Sequence, residues 1–208
     1  MRVRLLPGAS LVAAAVVLIG TPAAFAALTA NSNLTQTVNP GALSTSILDS
    51  GGSAVGSPSF AMTATTASTA TQTSTGVFGN NNQRITVENP GASNSGWTLA
   101  LSATGSWSDG GSNTYPYNGA TAADGQLTVN PSAGTLTPTF GTSTGISRGT
   151  SSTFVSGSVS SIELLNAGAT SDDVWSGYLT GVGLSQTVPA GTSAANYTLV
   201  VTQTVATQ

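Results

Sequence analysis

Apolar and polar residues alternate with a period of two along much of this chain. Trp97, Leu99, Leu101 and Ala103 fall on one side, with Thr98, Ala100 and Ser102 on the other. Tyr197, Leu199, Val201, Gln203 and Val205 alternate with Thr198, Val200, Thr202 and Thr204, and Val182, Leu184, Gln186 and Val188 do the same. Shorter runs occupy 34–38, 43–47, 60–64, 85–87, 127–129, 136–140 and 162–164. A repeat of two is that of a strand with one face buried. Turn formers separate the runs, among them Asn39-Pro40-Gly41, Asn89-Pro90-Gly91, Asp124-Gly125 and Pro189-Ala190-Gly191. About ten short strands and no helical periodicity predict an all-β fold, a two-sheet antiparallel β-sandwich of jelly-roll or Ig-like type.

The ends differ from this pattern. Arg2 and Arg4 precede the apolar run Leu11 to Gly20, and Ala24-Phe25-Ala26 places small residues where a signal peptidase cuts. Ten apolar residues span only about 15 Å as a helix, half a bilayer core. Residues 1–26 are therefore expected to be a cleaved secretory signal, and 27–208 one soluble or wall-associated domain with no membrane span. Residues 27–33 read as a flexible lead-in. The Ser/Thr/Ala-rich stretch 63–76 suits either a strand continued from Phe60 and Met62 or an exposed loop, and 141–153 reads as a long loop.

Charge and residue type narrow the chemistry. Beyond residue 26 only Arg84 and Arg148 stand against seven acidic residues, and there is no lysine. Two scattered cations cannot neutralise a run of phosphates, so neither nucleic acid nor anionic lipid is an expected partner. Histidine and cysteine are also absent, which removes the usual base, the thiol nucleophile and the common zinc ligands. An enzyme is not expected. A carboxylate pair such as Asp124 with Glu163 could hydrolyse a glycoside only if the fold brought the two together.

Two features offer binding chemistry. Asp109 and Asn113 flank a Gly-rich loop, and Asp172 and Asp173 form an acidic pair before Trp175. Oxygen ligands on loops suit a structural calcium ion, whereas Asp-Gly-Gly alone is also an ordinary turn. Trp107, Tyr115 and Tyr117 cluster in sequence and could stack on sugar rings, or Trp107 could fill the core beside Trp97.

The stretch Arg84-Ile85-Thr86-Val87-Glu88-Asn89 followed by Gly96-Trp97-Thr98-Leu99 resembles the first half of a WxL domain. Ile162-Glu163-Leu164-Leu165, Trp175, Val182-Gly183-Leu184-Ser185, Val188-Pro189-Ala190-Gly191 and Ala195-Asn196-Tyr197-Thr198-Leu199 are similar to that family's last third. The resemblance covers about 77–208. The second Trp-x-Leu is not intact, because its Trp position falls on Gln203 in Gln203-Thr204-Val205. It implies a Gram-positive surface protein that associates non-covalently with peptidoglycan, with Trp97, Leu99 and Trp175 as motif residues. Leu34-Thr35-Gln36-Thr37-Val38-Asn39-Pro40-Gly41 loosely resembles the start of the camelysin/TasA group. That implies a fibre subunit in which residues 34–38 could complete a neighbour's sheet. Two functions are thus expected of an exported, non-catalytic bacterial surface protein: binding peptidoglycan or another surface glycan, or assembling with itself or other surface proteins.

Overall fold

The computed structural model describes residues 33–92 and 95–208, and the secretory signal expected over 1–26 lies outside them. The chain divides into Met1–Thr37 and Val38–Gln208, and the strands of the described residues all lie in the second unit. In the first unit residues 33–37 have no regular structure. The strand expected over 34–38 is absent, and Leu34 and Val38 are 98% and 84% exposed. Alternation makes a strand only where a neighbouring edge accepts the backbone and one face is buried, and neither happens there.

The second unit holds β1 (Ser44–Leu48), β2 (Gln72–Phe78), β3 (Arg84–Pro90), β4 (Trp97–Ser108), β5 (Thr114–Tyr115), β6 (Leu127–Asn130), β7 (Thr135–Phe140), β8 (Ile146–Arg148), β9 (Ser152–Thr153), β10 (Ser161–Ala167), β11 (Val174–Thr180), β12 (Val182–Val188) and β13 (Thr198–Thr207). All pairings are antiparallel. The all-β sandwich expected from alternation is what forms, but with three hydrogen-bonded sheets rather than two: β1-β3-β11-β7, β2-β12-β6-β9, and β13-β4-β10-β8 with β5 beside β4.

The extra sheet arises because one layer is folded at a corner. The order β3-β11-β7 repeats as β2-β12-β6, and each pair is consecutive in the chain, so three ribbons bend together between one sheet and the next. Gly79, Gly134 and Gly181 sit at the three bends. Gly181 N–H donates to the Gly79 carbonyl at 2.9 Å. Gly79 and Gly181 have φ of +83° and +79°, where an L side chain is disfavoured. A Cβ on Gly79 would also come within 3.0 Å of the Leu179 carbonyl and of Ile85, whereas one on Gly181 would make an ordinary 3.7 Å contact with Gly134. Gly181→Ala is therefore expected to cost about 1–2 kcal/mol, the backbone term alone, and Gly79→Ala distinctly more. Equal melting temperatures for the two variants would show that the corner does not set the cost.

The unbroken layer spans both halves of the folded one. β4 has 12 residues, about 40 Å of strand. At its start Trp97 packs on Trp175 of β11, with ring centroids 5.3 Å apart. At its end Trp107 Nε1 donates to Gln186 Oε1 of β12 at 2.8 Å. Trp97, Leu99, Leu101, Ile85, Val87, Leu164, Leu165, Trp175 and Leu179 are all at most 1% exposed and form the core with Val129 and Phe154. Leu164 and Leu165 are buried together because a bulge interrupts the β10–β4 register between Glu163 and Leu165.

Several short elements depart from the alternation. Phe60–Ala64 contributes one bridge, Met62 to Gly76, rather than a strand. The stretch 63–76, open between strand and loop, becomes strand only from Gln72. The expected loop 141–153 contains β8 and β9. Gly96, ahead of Trp97, has φ +107°, and a Cβ there would run into the Ala167 carbonyl. The Gly of Gly-Trp-Thr-Leu is thus required by the backbone where β10 ends against β4.

Candidate functional site

The sequence-predicted contact residues separate into two groups. Trp97, Leu99, Trp175 and Tyr117 are buried, at 0, 0, 1 and 7% exposure. Trp175 Nε1 donates to the Thr142 carbonyl at 2.8 Å, and Tyr117 donates its hydroxyl to the Ala103 carbonyl at 2.8 Å while meeting Phe154 edge-on. None of these four is open to a ligand: Trp97, Leu99 and Trp175 are inward residues of β4 and β11, and Tyr117 is buried in the loop after β5. Trp107 and Tyr115 remain half-buried.

Those two are brought together by a hairpin. Trp107 of β4 lies opposite Tyr115 of β5, and the rings stack at 5.9 Å and 13°. The Asp109–Asn113 loop closes the hairpin: Asp109 Oδ1 accepts from the N–H groups of Gly111 at 2.8 Å and Asn113 at 3.2 Å, and Oδ2 accepts from Asn113 Nδ2 at 2.6 Å. These donors, the Asn113 amide foremost, hold the Asp109 carboxyl below its usual range. Asp109 and Asn113 therefore serve as a turn. Both carboxylate oxygens already accept, and Asn113 offers its amide nitrogen rather than its oxygen, an arrangement that does not fit a cation.

Asp172 is used in a similar way. Its Oδ2 accepts from Thr142 N at 2.6 Å and Thr142 Oγ1 at 3.0 Å, tying loop 141–145 to the start of β11. The neighbouring Asp173 lends its backbone carbonyl to Asn89 Nδ2 at 3.1 Å. Asp172 lies near Trp175, which packs on the first residue of β4, while Asp109 follows the last. About 35 Å of strand separates the two loops, so they do not share a site. Among the described residues no three acidic groups gather as a metal cluster. Asp124 and Glu163 are engaged locally, Asp124 with Thr121 and Glu163 with Asn166.

The Trp107–Tyr115 stack ends at a groove that the sequence did not announce. Tyr197 meets Tyr115 edge-on at 4.9 Å and donates its hydroxyl to the Ser193 carbonyl at 2.9 Å. The two Tyr rings form part of the wall of a groove of about 340 Å³, whose rim is Thr65, Thr66 and Ser68 on one loop and Thr192 and Ser193 on another. The loops are joined by Gly191 N–H donating to the Ser68 carbonyl at 2.8 Å. No charged side chain lines the groove. Burial, and then Tyr197 beside it, pushes the Tyr115 hydroxyl up to about 12, so the phenol stays a neutral donor throughout the physiological range. Tyr197 was legible only as an inward residue of its strand, and the hydroxyls of 65–68 and 192–193 come from stretches of low complexity that carry no spacing signal.

A second depression, of about 230 Å³, lies over β1, β3 and β11. Its cation is already committed: the Arg84 guanidinium sits 4.4 Å over the Tyr178 ring and donates to the Ser50 carbonyl. Arg148 is likewise held by the carbonyls of Ser132 and Gly134. Neither arginine is aimed at the Tyr115–Tyr197 groove, whose rings, hydroxyls and one amide, Gln72, are joined by the small apolar side chains of Val188, Pro189 and three alanines. That set can bind an uncharged, hydroxyl-bearing molecule by stacking and hydrogen bonding. No family model, curated protein or solved structure matches this chain.

Proposed function

We propose that this chain is an exported, non-catalytic bacterial surface protein that holds a cell-surface glycan, the sugar backbone of peptidoglycan in the first instance, in the Tyr115–Tyr197 groove. The observation that carries the reading is the groove itself: two tyrosine rings and a rim of neutral hydroxyls, with no charge. Sugar rings offer apolar faces to aromatic side chains and hydroxyls to Ser and Thr, so the chemistries match. The signal pattern of residues 1–26 and the WxL-like order of segments over 77–208 support the same setting. In this reading the Trp-x-Leu residues maintain the core, and the loss of the second Trp at Gln203 leaves the glycan contacts untouched.

Co-sedimentation with insoluble peptidoglycan tests it. The protein is expected to pellet with wall and to stay in solution without it. Tyr115→Ala and Tyr197→Ala should each weaken binding tenfold or more, as for aromatic anchors at the centre of a contact. A fold check by circular dichroism separates lost binding from lost structure. Undiminished pelleting of both folded variants would remove the groove from the account.

A further inference from the structure

A β-sheet edge is a row of unpaired backbone groups, and proteins blunt such edges to prevent unwanted pairing. The edges in the described residues mostly follow that rule. β7 carries Pro138, β8 is three residues long and ends in Arg148, and β9 has two residues. Residues 60–64 lie along β2, with Thr63 N–H donating to the Thr75 carbonyl at 2.6 Å. β1 has five residues, and its second half is covered where Val55 N–H donates to the Ile47 carbonyl at 3.0 Å.

β13 breaks the rule. It has ten residues, Thr-Leu-Val-Val-Thr-Gln-Thr-Val-Ala-Thr, with no proline and no charge. Its one strand neighbour among the described residues is β4. After a bulge between Thr198 and Val200, its register against β4 is regular to Thr207. Such a strand is a template for another strand.

The sequence of β13 identifies which strand fits. It is nearly the same in both directions about Gln203: Thr202 mirrors Thr204, Val201 mirrors Val205, and Val200 mirrors Ala206. In the fold Val201, Gln203 and Val205 face the core, while Val200, Thr202, Thr204 and Ala206 face outward. An antiparallel pair of two β13 strands centred on Gln203 keeps every inward residue beside an inward one. A one-residue slip would mix the faces, and a two-residue slip would set Gln203 against valine. Gln203 itself is turned inward, its Nε2 donating to Thr45 Oγ1 at 2.8 Å, so the seam between two such strands is carried by main-chain hydrogen bonds.

We propose that the open edge of β13 is the docking surface for a second copy of this chain, the two strands pairing antiparallel about Gln203 to form one continuous sheet. The contact is isologous and closes on itself, so it makes a dimer rather than a fibre. An edge seam is narrower than a standard stable interface, so the dimer is reversible and concentration-dependent. This association is independent of the glycan groove.

Sedimentation velocity of the purified protein over a wide concentration range reads the association. A mass rising from one chain towards two is expected. Thr202→Lys with Thr204→Lys, both on the exposed face, sets like charges opposite each other across the seam and should weaken the dimer on the order of tenfold or more. The chain has no cysteine, so register can be read by cross-linking. Val200→Cys and Ala206→Cys chains mixed under a mild oxidant should give a disulfide-linked pair, whereas either variant alone should not. A monomer at every concentration, a dimer indifferent to the lysines, a cross-link in a single variant alone, or growth into long polymers would each overturn the proposal.

Discussion

Trp97→Ala is expected to destabilise the fold by about 3–5 kcal/mol, the range for deleting a large core aromatic. Trp97 is fully buried, joins the two layers through Trp175 and stands at the start of the longest strand. Its Nε1 nevertheless has no hydrogen-bond partner. A buried donor left unpaired subtracts from what the ring contributes, so Trp97→Phe is expected to lose much less than Trp97→Ala, about 1–2 kcal/mol. Thermal or denaturant unfolding of the two variants measures the difference. A melting temperature unchanged by Trp97→Ala, with wall binding reduced, would mean that Trp97 is a contact residue and that its place in the core is wrong.

The ease of reading Trp97 from sequence, against the difficulty of reading Trp107, shows where pattern stops informing. Alternation over Trp97 to Ala103 stated which face is inward, and that face is the core because β4 lies between β13 and β10 with the folded layer over it. Alternation cannot say how far along a strand the cover extends. Trp97 is fully covered by the ring of Trp175 while Trp107 is only half-buried, yet both are inward residues of β4. Trp175 and Tyr117 stood in the sequence as aromatic neighbours of loops and proved to be core residues, and for Tyr117, which lies on no strand, alternation carries no information at all.

β11 was hidden for another reason. Its inward row is Trp175, Gly177 and Leu179, and a glycine in the middle breaks the apolar alternation. The structure explains it: a Cβ on Gly177 would meet the six-membered ring of Trp175, which lies across that position. The corner glycines Gly79, Gly134 and Gly181 were visible only as residues between runs, since nothing in one segment shows that three distant segments bend at one place. The hairpin carboxylate Asp109 had two readings, ligand or turn, and only the direction of its hydrogen bonds distinguishes them. The groove needed residues from 65–68, 115 and 192–197 to meet, which is information that pairing supplies and local pattern does not.

Gln186 joins the core to that groove. It occupies an inward position of β12, is fully buried, and has all its amide chemistry in use. Its Oε1 accepts from Trp107 Nε1 at 2.8 Å, and its Nε2 donates to the carbonyls of Thr187 at 2.7 Å and Pro116 at 3.3 Å. Gln186→Leu nearly preserves volume but leaves a buried N–H without its acceptor and two carbonyls without that donor. The cost should be about 2–4 kcal/mol, since each orphaned buried group costs roughly 1–3 kcal/mol and some relax. Trp107 then loses its anchor beneath Tyr115, so glycan binding should fall as well. Adding Trp107→Phe removes the orphaned donor, and the double variant should recover part of the stability lost by Gln186→Leu, with a coupling of about 0.5 kcal/mol or more. Strictly additive losses would mean that Gln186 supports the core without holding Trp107, and the groove would then owe its shape to the Asp109 hairpin alone.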